Sequence, residues 1–181
     1  MVNYRTFIRA LPNMARNRKA NVNANDGPET YKMYGDLHIS VQALLFDTSD
    51  LLFEFHPIDD DADAIESCNS NIMGRFTCSN NTCKKKGWGS KCIPIVIRLY
   101  ERNRYNARVY YQRCAECDSL SEPELNERLK DSYTERVVCC LKRWSGEHVE
   151  RPAYSRQSKG PHDQTRCEGC KAGHCRGLKK D

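Results

Sequence analysis

Two cysteine pairs, Cys78 with Cys83 and Cys114 with Cys117, lie about thirty residues apart and constrain this chain more than any other feature. Zinc takes four soft ligands in a tetrahedron; one close cysteine pair wraps one side of the ion while a second pair closes the other. The segment between the pairs must then leave the ion and come back to it. Ile93, Ile95, Ile97 and Leu99 alternate with Val96, Arg98 and Tyr100, and the period of two resumes as Tyr105, Ala107, Val109 and Tyr111 against Asn106, Arg108, Tyr110 and Gln112. Glu101-Arg102-Asn103-Arg104 between the runs is polar enough for a turn. Antiparallel strands of matched length return to their starting end, so this hairpin carries Cys114 back toward Cys78 and Cys83 as the body of a zinc ribbon.

Eleven cysteines in 181 residues are far above ordinary usage. A disulfide scaffold calls for an export signal, but Arg5, Arg9, Arg16, Arg18 and Lys19 interrupt the first twenty residues and leave no apolar stretch of the signal-peptide kind. No run is long enough to span a bilayer. An odd cysteine count without an export signal favours a reducing compartment, cytoplasmic or nuclear, and metal binding over disulfides. The length allows one domain with appendages. Charge is uneven: residues 36–66 hold nine acids and no Lys or Arg, whereas residues 75–113 hold ten bases and only Glu101 as an acid. Ligand thiolates lower the formal +5 to about +2 when a four-thiolate and a three-thiolate site are filled, so only the local basic stripe speaks for an anionic partner.

Residues 1–30, rich in Asn and Arg, read as a flexible basic tail; Tyr4, Phe7, Ile8 and Leu11 at helical spacing allow an amphipathic arm instead. Residues 31–69 read as a helix-strand extension. Leu37, Val41, Leu44 and Leu45 give the helix, with Asp36 as its cap, and Leu51, Phe53 and Phe55 give a strand ending at Pro57. Asp59, Asp60, Asp61 and Asp63 follow as a solvated acidic loop that lacks the glycine and closing glutamate of a calcium loop. After the ribbon, Ser121-Glu122-Pro123-Glu124 predicts a capped helix start, and Leu125, Leu129, Tyr133, Val137, Leu141 and Trp144 mark one face of a long helix ended by Ser145-Gly146. Cys68, Cys92, Cys139 and Cys140 are expected to be small buried hydrophobes.

A second ligand set stands near the end: His162, Cys167, Cys170 and Cys175, with His174 as an alternative fourth donor. The flanking glycines let the backbone turn tightly around an ion. About two zinc ions per chain are therefore expected. The spacing leaves open whether the two sites exchange pairs.

Gly74-Arg75-Phe76-x-Cys78, Trp88 with Ser90, Gln112-Arg113-Cys114-x-x-Cys117, the helix after Pro123, and Gly160-Pro161-His162 before Cys167-x-x-Cys170 and Cys175 together resemble the 3CxxC-type zinc-binding domain. That domain is similar to those of receptor-transporting and zygote arrest proteins and of many uncharacterised fungal proteins; Asn71 to Phe76 and Trp144-Ser145-Gly146 look most like the fungal branch. The resemblance covers residues 70–177 as the zinc-binding domain, with 178–181 as a short tail. Cys78 and Cys83 depart from it, with four residues between them where the family name implies two. The family implies zinc binding, with membrane-protein trafficking or RNA binding as roles. Receptor transporters carry a C-terminal membrane anchor; the chain stops at Leu178-Lys179-Lys180-Asp181, so stable membrane attachment is not expected.

The fold class expected is α+β: a zinc-ribbon-like antiparallel hairpin core with a long packed helix and two structural zinc sites. Both ligand sets are complete, which favours a non-enzymatic binding module, an adaptor or chaperone-like protein with a protein partner. RNA is the alternative partner, through Arg98, Arg102, Arg104, Tyr105 and Arg108. A zinc hydrolase or deaminase is the competing enzyme class, since His148-Val149-Glu150 precedes Cys167-x-x-Cys170, but Arg166 stands where that pattern has proline.

Overall fold

Period-two alternation between the cysteine pairs produces the two central strands of a five-stranded sheet. In a computed structural model describing residues 28–150 and 162–175, β4 (Gly87–Tyr100) and β5 (Arg104–Tyr110) are antiparallel, with Ile95 opposite Val109 and Leu99 opposite Tyr105. The chain reverses through Arg102 and Asn103, which take left-handed φ angles of 60° and 53°. β3 (Glu66–Thr77) pairs with the other side of β4. β1 (Tyr31–Met33) runs antiparallel to β5, and β2 (Glu54–Phe55) runs parallel to it. The sheet order is β1-β5-β4-β3, with β2 also on β5. The proposed N-terminal arm, Gly160-Pro161 and the C-terminal tail lie outside the described residues.

One sheet face is apolar, and helices bury it. Ile93, Ile95, Ile97, Tyr105, Ala107 and Val109 pack with Leu129, Tyr133, Val137 and Leu141 of α2 (Glu127–Trp144) and with Val41 and Leu45 of α1 (His38–Thr48). Tyr34, Leu37 and Phe53 join the same cluster, so the 31–69 extension shares the core of the zinc-binding region. Cys140 is in this core and Cys68 packs against it, as small hydrophobes do.

Both expected helix caps differ. Ser121 lies in β7 (Leu120–Ser121), paired with β6 (Gln112–Arg113), and Pro123 bridges to Phe76; the helix starts only at Asn126, whose side chain accepts from Leu129 N at 3.1 Å. Sheet pairing thus claims the residues that resembled a capping box. Before α1 a 3-10 turn, Gly35–Leu37, takes up Asp36, and no side-chain cap bond forms.

The other face of β4 and β5 carries Arg98, Arg108 and Asn106, and the acidic loop, its outer side still in solvent, folds over it. Arg98 is 1% exposed: it donates to Asp61 Oδ1 at 2.6 Å and to Asn106 Oδ1 at 2.8 Å, and it also binds Asp59. Arg108 donates to Asp59 Oδ1 at 2.7 Å and Asp61 Oδ2 at 2.9 Å. Tyr31 and Tyr100 hold the loop through Asp59 Oδ2 and Asp60 O. Asp59 and Asp61 of the acidic stretch thus neutralise Arg98 and Arg108 of the basic one internally.

This corrects the expected RNA stripe. Arg98 and Arg108 already have carboxylate partners, and Tyr105 is fully buried in the helix-covered core, where no base can stack. Arg102 alone of the five is exposed, and Arg104 is partly covered, with its Nη1 3.3 Å from His56 Nδ1.

Candidate metal centres

β3 ends at Thr77 and delivers Cys78 to the first centre. The four residues before Cys83 form a tight turn: Cys83 N donates to Asn80 O at 3.0 Å, and the Asn80 side chain accepts from Thr82 N at 3.0 Å. The wider spacing thus still folds both thiols to one side. Ser79 ties this knuckle to β7 through its hydroxyl, which donates to Leu120 O at 2.7 Å. The second pair follows the returning hairpin, where Asp118 N donates to Cys114 O at 3.0 Å and Asp118 takes φ 56°.

Cys78, Cys83, Cys114 and Cys117 converge with all ligand atoms within 4.8 Å of one another. Sγ separations are 3.5 Å for Cys78–Cys117 and 3.8 Å for Cys83–Cys114. A tetrahedron with Zn–S near 2.3 Å has edges of about 3.8 Å, so the donors fit zinc. Cys114 is fully buried, and Trp88, stacked on Phe76 at 5.1 Å, closes the site on one side. Burial pushes the Cys78 thiol up to about 12, whereas the hydroxyl and amide of Ser119 pull Cys117 down to about 6. A divalent ion replaces this uneven sharing of protons with four thiolates.

The second centre sits at the end of the acid-covered sheet face. Asp163 accepts from Thr165 N at 3.1 Å and opens a 3-10 turn, Gln164–Arg166, that leads into α3 (Glu168–Lys171). His162, Cys167, Cys170 and Cys175 again lie within 4.8 Å of one another. His162 Nε2 is 3.1 Å from Cys170 Sγ and 3.4 Å from Cys175 Sγ. The surrounding thiolates, Cys167 foremost, raise the imidazole to about 11. Gly173 at φ +77° brings the chain back for Cys175, whose N–H donates to Gly169 O at 3.1 Å. His174 is not a ligand: it stacks on Tyr110 at 5.7 Å. Among the described residues, His148 belongs to neither cluster.

The two centres share their supports. Arg113 donates to Glu168 Oε1 at 2.7 Å beside Cys167 and to Asp118 O at 3.1 Å beside Cys117. Gln112 accepts from Trp88 Nε1 at 3.2 Å, donates to Cys92 O at 3.1 Å, and bridges to Cys167 through its backbone. Gln112-Arg113 before Cys114 is therefore a brace between two metal sites.

Sequence reasoning missed the position of Cys92. Its Sγ lies 3.8 Å from Cys175 Sγ, beside the second centre rather than in an apolar pocket. The alternation of β4 held the signal, because Cys92 is in phase with Val96 and Arg98, off the helix-covered face.

Gly169 sets the fit of the second knuckle on the sheet. A Cβ there would meet Pro94 Cβ and Cγ at 2.5 Å and Tyr110 Cγ at 3.2 Å, rings that cannot swing aside. Gly169→Ala is expected to weaken zinc at the second centre by about 1–3 kcal/mol, a factor of about 5 to 150, while the first stays intact. Stepwise competition with a chromophoric chelator measures both affinities.

Residues 71–173 match the family model of a zinc-binding domain, the zinc ribbon of 3CxxC type. No curated protein and no solved structure matches the chain.

Proposed function

The chain belongs to the 3CxxC zinc-ribbon family, and from that membership we propose that it is a non-enzymatic interaction module, an adaptor or chaperone-like protein built on two structural zinc ions. The observation that carries this reading is closure. Each cluster supplies four protein donors, whereas a catalytic zinc keeps a position open for water or substrate. The reading places the protein in a reducing compartment such as the cytoplasm, since thiolates hold the metal only while reduced. We also place it nearest the fungal branch, on Asn71 to Phe76 and Trp144-Ser145-Gly146.

A protein is the favoured partner. Two of the four arginines proposed for phosphate contact, Arg98 and Arg108, are engaged by Asp59 and Asp61, while α1 presents Ile39, Ala43 and Phe46, one helical face, to solvent; Ile39 and Phe46 are 77% and 80% exposed. No helix among the described residues is long and apolar enough to cross a membrane.

Metal analysis of the folded chain is expected to give about two zinc ions. Cobalt substitution then tests closure: azide should leave the visible spectrum of both centres unchanged, because an exogenous anion enters only an open coordination position. An azide-shifted spectrum would overturn the non-enzymatic reading.

A further inference from the structure

We propose that Cys92 is a fifth donor of the second zinc centre, interchangeable with Cys175. This rests on the two-zinc reading above.

Cys92 occupies an irregular point of β4. Ile72 is opposite Ile93, but two residues further along β3 Gly74 is opposite Ser90, so Lys91 and Cys92 together face Met73. That is a β-bulge, a device that re-aims a side chain. Neighbouring groups support it: Ser132 of α2 accepts from Met73 N at 3.1 Å and donates to Met73 O at 3.0 Å, while Cys92 N donates to Ser90 Oγ at 3.2 Å and Cys92 O accepts from Gln112. The braced bulge holds a half-buried thiol against the metal site.

Spacing identifies the ligand it can replace. The 3.8 Å between Cys92 and Cys175 equals the Cys83–Cys114 separation in the first centre and the edge of about 3.8 Å expected between thiolates on one tetrahedral zinc. Cys92 is nonetheless outside the set of four whose donor atoms are all mutually close. Cys92 would therefore take the Cys175 corner of the donor set, with His162, Cys167 and Cys170 retained. The exchange would balance: a zinc–sulfur bond to Cys175 would be replaced by one to Cys92, and the proton of the incoming thiol would pass to the outgoing one. Total charge and thiolate number would stay the same, so the exchange carries no electrostatic penalty of an added or lost charge. The centre keeps its zinc when Cys175 is blocked, and the sheet strand rather than the terminal loop then supplies the ligand.

Limited alkylation of the native zinc-loaded chain with iodoacetamide, read by native mass spectrometry and peptide mapping, tests this without a variant. Chains modified once, at Cys92 or at Cys175, should both retain two zinc ions, and chains modified at both should retain one. Loss of a zinc from every chain modified at Cys175 overturns the proposal, as does retention of two zinc ions by doubly modified chains or the absence of Cys175 modification in two-zinc chains. Cys175→Ser should keep the second metal, with a three-thiolate cobalt charge-transfer band, and Cys92→Ser/Cys175→Ser should lose it. An unmodified chain carrying one zinc or none would instead sink the two-centre reading.

Discussion

Chelation of zinc is expected to abolish the cooperative unfolding transition of this protein, and Cys114→Ser is expected to do nearly the same with zinc in excess. A domain of this size is stable by about 5–15 kcal/mol in total, whereas one structural zinc site contributes roughly 10 kcal/mol or more of folding free energy. Removing the ion therefore leaves little or no net stability. The first centre is the sensitive one because its cluster consists of the thiols themselves, Cys78, Cys83 and Cys114, with only Trp88 and Cys117 packed against them. Cys114 is fully buried from water and solvent ions, so a serine there leaves three thiolates closing on a poor ligand. Cys92→Ser should be mild by comparison, since Cys175 remains to complete the second set. Far-UV circular dichroism during chelator titration, with urea melts of both variants, measures the contrast. A chelated chain that keeps a sharp transition would show that the sheet-helix core suffices alone.

That core is larger than the five Phe and two Trp imply, because Ile, Val, Leu and Tyr fill it. The β4–β5 hairpin, the long helix and both ligand sets were legible in the sequence, since each has a period or spacing set by its own geometry. β3 was not. Its first half, Glu66-Ser67-Cys68-Asn69-Ser70-Asn71, has no apolar alternation, and it is a strand because the long β4 needs a partner for its backbone groups. Cys92 was legible only in part: the alternation of β4 puts it off the helix-covered face, but its meeting with Cys175 depends on a register shift between two strands, which one strand's pattern does not encode. The acidic loop was misread because composition shows an excess of like charge but not its pairing across forty residues of chain; Asp59 to Arg98 is such a pair.

That pairing sets the second large effect. Asp59→Ala together with Asp61→Ala should destabilise the zinc-loaded protein by about 3 kcal/mol, the low end for breaking a buried ion pair, because Arg98 would remain 1% exposed with its charge uncompensated. Most of this belongs to Asp59. Its side chain is 25% exposed and meets Arg98, Arg108 and Tyr31, whereas that of Asp61 is 67% exposed, so Asp61→Ala alone should cost no more than about 1 kcal/mol. Adding Arg98→Met to the double variant should recover much of the loss, since an apolar side chain leaves no orphan charge on that face. The dependence on pH separates these carboxylates from the metal. Burial pushes both carboxyls up, but the bonds from Arg98 and Arg108, with Tyr31 added at Asp59, outweigh it and hold them below the usual carboxylate range. Their contribution is therefore complete above the unfolded value near 4 and is lost only as pH falls through the lower folded values. Zinc-linked stability declines earlier, as thiolates take up protons. Urea melts of wild type and the double variant between about pH 8 and 5 should show both midpoints falling while the gap between them stays constant. A gap that closes across that window would mean that the acidic loop acts through the zinc centres and not through the guanidinium groups it covers.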